Sequence, residues 1–311
     1  MSKASPSKTS SAKPAAKAKT KTAAKARKAK VAKATRPVPG GKTVLVEFED
    51  GIAWVYFNRP EKKNCMNPEL NSEMLEVLEE LEIDNRCKVL VLSGKGDSFS
   101  AGMDLREYFR GVETLSPVEV QRIRNIAYRW QRNVLMYFQK PTIAMVNGWC
   151  FGGGLSPLVS CDLSIAANEA TLGISEINWG IIPAGNVLRA VAAKMNQSDG
   201  LYYAMTGRTF NGKEAARMGL VNEAVPLKKL KAHTRELAQE LLSKNQIVLG
   251  QIKIAYKHVR EMPWDMGEDY LVAKSLQTRF IDQNAGYSKG LKQFLDDKTF
   301  RPGLGHYDPE K

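Results

Sequence analysis

The stretch from Pro141 to Gly180, PTIAMVNGWCFGGGLSPLVSCDLSIAANEATLGISEINWG, constrains this chain most. Thr142 to Val146 is an apolar run suited to a buried strand. The polar break Asn147-Gly148 and three consecutive glycines, Gly152, Gly153 and Gly154, follow it. Leu155 to Cys161 has the apolar content of a short buried helix, and Leu163 to Ala167 that of a second strand. Glycines at a strand-to-helix junction let backbone N–H groups approach a ligand closely. Glu176 lies among Leu172, Ile174, Ile177 and Trp179. Apolar surroundings raise a carboxyl pKa toward the range useful for proton transfer. A backbone anion hole beside one carboxylate is the site these residues predict. The plain structural alternatives are a tight turn at Gly153 and a solvated or N-capping carboxylate at Glu176.

The flanking sequence reads as a layered α/β chain. Thr43 to Glu49 and Ile52 to Phe57 are paired strands around the Asp50-Gly51 turn. Asn67-Pro68 starts a helix whose apolar face is Leu70, Met74, Val77, Leu78 and Leu81. Val89 to Leu92 is a short buried strand, completing a βαβ unit. Phe99 to Leu105 is a second small-residue segment where backbone can approach a ligand. Ser116-Pro117 opens a long, aromatic-rich helix over Val120 to Phe138. Asn186 to Lys194, Leu201 to Met205 and Lys213 to Ala216 read as helices, and Leu220 to Val225 as the last strand. From Leu230 onward the pattern is helical throughout. Residues 1–40 are expected to be a disordered tail, 41–230 the core that holds the site, and 231–311 a helical region that covers the site or packs on another subunit.

Charge is distributed unevenly. The overall value is +13, yet residues 1–40 hold ten Lys and two Arg with no Asp or Glu. That leaves 34 basic against 33 acidic side chains, or +1, for the rest of the chain. The tail lacks the apolar residues needed for a core. It is read either as a solubilising extension or as a nonspecific contact for nucleic acid or another anionic surface. A transit peptide fits poorly, because lysines outnumber arginines. The chain shows no run of eighteen apolar residues, so neither secretion nor a membrane span is expected. Cys65, Cys87, Cys150 and Cys161 lack CxxC spacing and read as small apolar fillers in a reducing, cytoplasmic setting. His233, His258 and His306 have no partners at metal or catalytic spacing.

Four segments, FNRPEKKNCM, SAGMDLREYF, NGWCFGGGLSPLVSCDLSIA and LGISEINWG, resemble the enoyl-CoA hydratase/isomerase (crotonase) superfamily in their order and spacing. The resemblance covers roughly residues 42–300. Within it, WCFGGG, GISEINWG and the segment from MPW to GLKQFLDDK resemble the hydroxycinnamoyl-CoA hydratase-lyases. The resemblance implies an α/β spiral of ββα turns with carboxy-terminal helices used in trimerisation, as a homotrimer or a hexamer built from two trimers. It implies hydration of a 4-hydroxycinnamoyl-CoA and cleavage to acetyl-CoA and an aromatic aldehyde such as vanillin. No redox or metal cofactor is implied, since CoA arrives with the substrate. The alternatives are another hydratase or isomerase of the superfamily, or a nonenzymatic nucleic-acid-binding relative that uses the basic tail.

The same resemblance assigns residues to roles. The N–H groups of Met103 and Gly153 form an oxyanion hole, and Glu176 moves the proton. Ser156 stands where ordinary hydratases carry a second glutamate, two residues past the triple glycine, and would hold a water or orient Glu176. Tyr108 resembles the tyrosine that meets the substrate's 4-hydroxyl. Tyr270 belongs to EDYLVAK, a segment that reads EDYLYAK in the hydratase-lyases, so Val272 stands where a second ring tyrosine is usual. Lys62, Ala101, Leu105, Ser175, Trp179 and Gly185 resemble CoA or thioester contacts.

Overall fold

A computed structural model describes residue 37 and residues 39–311 apart from 302 and 304. The expected disorder of the basic tail falls almost wholly outside these residues. Residues 37–311 form one compact unit.

The chain enters through the expected hairpin, β1 (Val44–Glu49) and β2 (Ile52–Phe57). Asp50 and Gly51 both have positive φ, 46° and 89°, the geometry a two-residue Asp-Gly turn requires. Helix α1 (Pro68–Ile83) begins where the sequence places it: Asn67 Oδ1 accepts the Leu70 N–H at 2.9 Å, and Pro68 fills the first turn. The apolar face of α1 is buried, and the helix delivers the chain to β3 (Val89–Gly94), parallel to β2.

From β3 onward each turn of the chain places one strand in each of two sheets. β3 is followed by β4 (Ser98–Ser100), β5 (Thr142–Val146) by β6 (Trp149–Phe151), and β7 (Leu163–Ala167) by β8 (Thr171–Gly173). The larger sheet runs β1-β2-β3-β5-β7 and ends with β10 (Glu223–Val225). The smaller runs β4-β6-β8 and is closed by antiparallel β9 (Thr209–Asn211). The link between β5 and β6 is tight. A Cβ on Gly148 would fall 1.9 Å from Asp97 O, so only glycine fits. Helices follow the strand pairs: α2 (Pro117–Tyr128) after β4, α3 (Leu155–Ser160) after β6, and α4 (Val187–Lys194) and α5 (Gln197–Thr206) after β8. The short α6 (Gly212–Arg217) leads into β10. This is the expected spiral of ββα turns.

Sequence periodicity misses the whole of the second sheet. Its strands are three residues long and rich in small or aromatic side chains, too short to show alternation. The long helix expected over Val120 to Phe138 also differs. It is capped as expected, by a Ser116–Glu119 capping box, but after Tyr128 it widens into a π-helical segment, Arg129–Leu135. A second π-helical segment spans Leu105–Phe109.

The carboxy-terminal part holds four helices, α7 (Leu227–Leu242), α8 (Gln246–Val259), α9 (Trp264–Ile281) and α10 (Gly286–Leu295); the helical region expected over 231–311 stops there, and the described residues after Leu295 are turns and extended chain. Helix α8 is tied to the central stretch because Lys253 and Lys257 both reach Asp162 at 2.6 Å, while Asp162 accepts the Thr142 N–H. Along α9 several large apolar side chains face outward, with Trp264 96% and Phe280 89% exposed. Among the described residues no helix is long and apolar enough to cross a membrane.

Candidate active site

The ends of β4 and β6 meet at the two small-residue segments singled out from sequence. The parallel bridge between Met66 and Met103 uses Gly102 O and the Asp104 N–H, so Met103's own N–H points away from Met66. On that other side lies Gly153: a Cβ there would sit 3.2 Å from Met103 N. Gly102 has φ +94°, and a Cβ on it would meet Phe151 O at 2.7 Å and Gly153 N at 3.1 Å. Both segments therefore pack backbone against backbone, which requires glycine. Met103 and Gly153 line one cavity of about 1050 Å³.

Hydrogen bonds from the first family-like segment hold this junction in place. Asn64 Nδ2 donates to Lys95 O and Ser98 O, and Ser100 Oγ donates to Asn64 O. Arg59, itself buried, pairs with Asp104 at 3.0 Å and Glu107 at 2.7 Å. Asp104 caps the following π-helical segment by accepting the N–H groups of Arg106 and Glu107. FNRPEKKNCM thus acts as a brace for SAGMDLREYF, which explains why the two segments occur together.

Glu176 opens a short helical turn, Glu176–Trp179, and lines the same cavity. Its carboxylate lies against the triple glycine. Gly152 has φ +47°, and a Cβ there would fall 2.7 Å from Glu176 Oε1. Oε2 is buried without a hydrogen-bond partner among the described residues. Burial pushes the Glu176 pKa up, partly opposed by its own N–H and that of Ser175. A half-buried carboxyl held above the ordinary carboxylate range suits proton transfer, and Met103 and Gly153 line the same cavity.

Ser156, 1% exposed, also lines the cavity, but its hydroxyl donates to Gly185 O at 3.2 Å. It therefore ties α3 to the turn that enters α4 and leaves Glu176 Oε2 unpaired. Tyr108 sits half-buried in the cavity wall on the first π-helical segment, with Phe109 edge-on at 5.3 Å. Burial raises its phenol pKa, with Arg124 pulling the other way. Ala101, Leu105, Ser175, Trp179 and Gly185 line the cavity as well.

Two expected residues are not brought there within this chain. Lys62 is exposed and outside the lining. Tyr270 packs its ring on His258 at 5.9 Å, and His258 stacks on Tyr137, so Tyr270 is occupied on α9 away from the cavity wall. Sequence reading in turn missed Arg132 and Gln131, which the second π-helical segment places in the wall. A simple helical period gave no reason to separate them from their neighbours. No histidine lines the cavity. Among the described residues no group of three His, Cys, Asp or Glu side chains could hold a metal.

The four cysteines are free. Burial, chiefly, pushes the thiols of Cys65, Cys87 and Cys161 up to about 12 and that of Cys150 higher still, which keeps all four in the protonated, unreactive form.

Known proteins are similar in sequence and in fold. Residues 47–301 match the enoyl-CoA hydratase/isomerase family. The chain is 56% identical over 266 residues to a hydroxycinnamoyl-CoA hydratase-lyase from Pseudomonas fluorescens, covering 86% of this chain and 96% of that protein. It is 32% identical to the human mitochondrial Delta(3,5)-Delta(2,4)-dienoyl-CoA isomerase, over 72% of this chain and 69% of that protein. A crystal structure of an enoyl-CoA hydratase from Shewanella pealeana superposes with a TM-score of 0.73 at 25% identity, covering 82% of this chain and 94% of the other. With the two-sheet spiral, the paired small-residue turns and these matches in agreement, the chain belongs to the enoyl-CoA hydratase/isomerase family.

Proposed function

We propose that this protein hydrates the Cα–Cβ double bond of a 4-hydroxycinnamoyl-CoA thioester and then cleaves the β-hydroxy product to acetyl-CoA and a hydroxybenzaldehyde. Feruloyl-CoA would give vanillin. The observation that carries this reading is a single carboxylate, Glu176, in a cavity where the position two residues past the triple glycine is Ser156. The 56% identity to a hydroxycinnamoyl-CoA hydratase-lyase supports it independently.

In the first step Glu176 takes a proton from water as the water oxygen bonds to Cβ. The electron pair moves to the thioester oxygen, where the N–H groups of Met103 and Gly153 receive it. The resulting enolate collects the proton at Cα. In the second step the β-hydroxyl gives its proton to Glu176, the Cα–Cβ bond breaks, and its electrons return to the thioester as an enolate. Protonation at Cα yields acetyl-CoA, and the former Cβ leaves as the aldehyde. Tyr108 is assigned to the ring end. Lys62, Ala101, Leu105, Ser175, Trp179 and Gly185 are assigned to the CoA and thioester end, with Lys62 reaching in from the surface.

Incubation with 4-coumaroyl-CoA and feruloyl-CoA, followed for aldehyde and acetyl-CoA, tests the assignment. Hydration without aldehyde would sink the lyase step. The exposed apolar side chains of α9 support assembly into trimers or pairs of trimers. The basic tail is read either as a solubilising extension or as a nonspecific contact for anionic polymers, and a gel shift comparing the intact chain with one starting near Val44 separates the two. A cytoplasmic location fits four unpaired cysteines.

A further inference from the structure

Among the described residues two arginines are buried, and the fold treats them differently. Arg59 is neutralised by Asp104 and Glu107. Arg132 is 9% exposed and lines the cavity, and its hydrogen bonds go to neutral oxygens only. Its Nη2 donates to Asn186 O at 3.0 Å and to Ser156 Oγ at 3.5 Å. Its Nε is buried without a partner. Nη1 makes no hydrogen bond among the described residues and is not enclosed as Nε is, so it is the edge left open to the cavity. Burial pulls the Arg132 pKa down, Tyr128 opposes that pull and Arg189 adds to it, while Glu176 is not among the groups that act on it. A guanidinium keeps its charge in a protein even so. A buried charge that lacks a counter-charge is costly, and a ligand that supplies one relieves that cost.

We propose that the open edge of Arg132, beside Ser156, binds a small monovalent anion of the halide or short-carboxylate class. The geometry sets both limits. With Nε enclosed and Nη2 held by a carbonyl, one nitrogen is left to donate, which suits a single charge and not a phosphate that calls for several donors. Gly185 and Asn186, with φ +59° and +68°, turn the chain so that their carbonyl oxygens accept from Ser156 and Arg132, and this fixes the guanidinium against following a larger ligand. The cavity's charged lining groups are Arg124, Arg132 and Glu176, two cations against one carboxylate, so the wall favours an anion. The site makes no use of an acyl chain and stands whether or not the aldehyde-forming reading holds.

The full-length protein is melted in a buffer whose only anion is the bulky sulfonate of HEPES, then with bromide or acetate in its place at constant ionic strength. The parent should gain about 2–4 °C, saturating with anion concentration, as a ligand bound only by the folded state requires. Arg132→Met should gain nothing. The basic tail is common to both proteins, so its own contacts with anions cancel in the comparison. Crystals of the parent grown with bromide should show its anomalous signal within hydrogen-bond reach of Arg132, a measurement that needs no variant. Equal melting of the parent in all three anions overturns the proposal, and so does an equal gain in Arg132→Met. Bromide found only away from Arg132 overturns it too. Bromide at Arg132 with no gain in the melt is an adventitious ion only, which also removes the site.

Discussion

Glu176 combines an apolar setting with a fixed contact to Gly152, and both have measurable consequences. Its folded pKa lies above the unfolded value because burial penalises the charge. In its proposed role as the base it must be ionised, so kcat/KM should fall on the acid side through a limb displaced above the ordinary carboxylate range. That limb should vanish in Glu176→Gln along with most of the turnover, and near-normal turnover in that variant would remove Glu176 from the mechanism. The sign for stability is the reverse. A raised carboxyl contributes stability below its unfolded pKa and loses it as pH rises through the folded value. Glu176→Gln should therefore unfold no more readily than the parent at pH 7 in a thermal melt. Gly102→Ala would drive a Cβ to 2.7 Å from Phe151 O and spread the Met103 and Gly153 donors. Loss of one such donor costs about 2.7–4 kcal/mol of transition-state stabilisation, so kcat should drop about 100- to 1000-fold with folding retained by circular dichroism.

Among the elements, the brace formed by residues 58–67 holds the segment that carries Met103. Arg59 and Asp104 are both nearly inaccessible, with side-chain exposures of 9% and 8%. Arg59→Met leaves Asp104 buried without its cation, a change that typically costs about 3–5 kcal/mol and is read in a denaturant titration. The Asp104 carboxyl itself lies below its usual range. Burial alone would push it up, but the Glu107 N–H, the Cys65 thiol, Arg59 and the Arg106 N–H outweigh that. Its contribution is present above the unfolded pKa and lost as pH falls through the folded one, so Arg59→Met should also unfold at a higher pH on acidification. Asn67→Ala should cost about 1 kcal/mol for the lost cap of α1, and more through the bond that Asn67 Nδ2 donates to Glu107 Oε2 at 2.6 Å, which ties α1 to the segment carrying Tyr108. The two π-helical segments matter for a different reason. One carries Tyr108 and the other Gln131 and Arg132, so each widened turn points side chains into the cavity that a regular helix would place elsewhere.

For the whole molecule, the outward face of α9 is the feature a lone chain leaves unburied. Trp264, Leu276 and Phe280 are 96%, 60% and 89% exposed. Full burial of such side chains is worth about 1.5–3 kcal/mol each, which favours assembly. Leu276→Lys with Phe280→Lys should lower the mass seen by light scattering to that of the single chain while leaving the far-ultraviolet spectrum unchanged. An unaltered mass would place the assembly surface elsewhere. Tyr270 and Val272 lie on this same helix, so the ring contact expected of Tyr270 is not made within one chain.

The sequence by itself determined the pieces whose signal is local. The Asp-Gly hairpin follows from the turn chemistry of two residues. The start of α1 follows from Asn67-Pro68, that of α2 from Ser116-Pro117, and the strands β3, β5 and β7 from short apolar runs. The triple glycine, the small-residue segment Phe99 to Leu105 and Glu176 among apolar neighbours stood out locally, whereas the pairing of Met103 with Gly153 came from the family resemblance. Only the tertiary structure decided what depends on contacts between distant residues. Ser156 donates to Gly185, 29 residues on, instead of meeting Glu176. The second sheet exists because three-residue strands find partners a turn of the spiral away, each too short to show a period of its own. Arg132 looked like one more helical residue until a widened turn and the carbonyl of Asn186 fixed its guanidinium in the cavity wall. Burial and charge pairing are properties of the assembled neighbourhood, and no single window of sequence contains them.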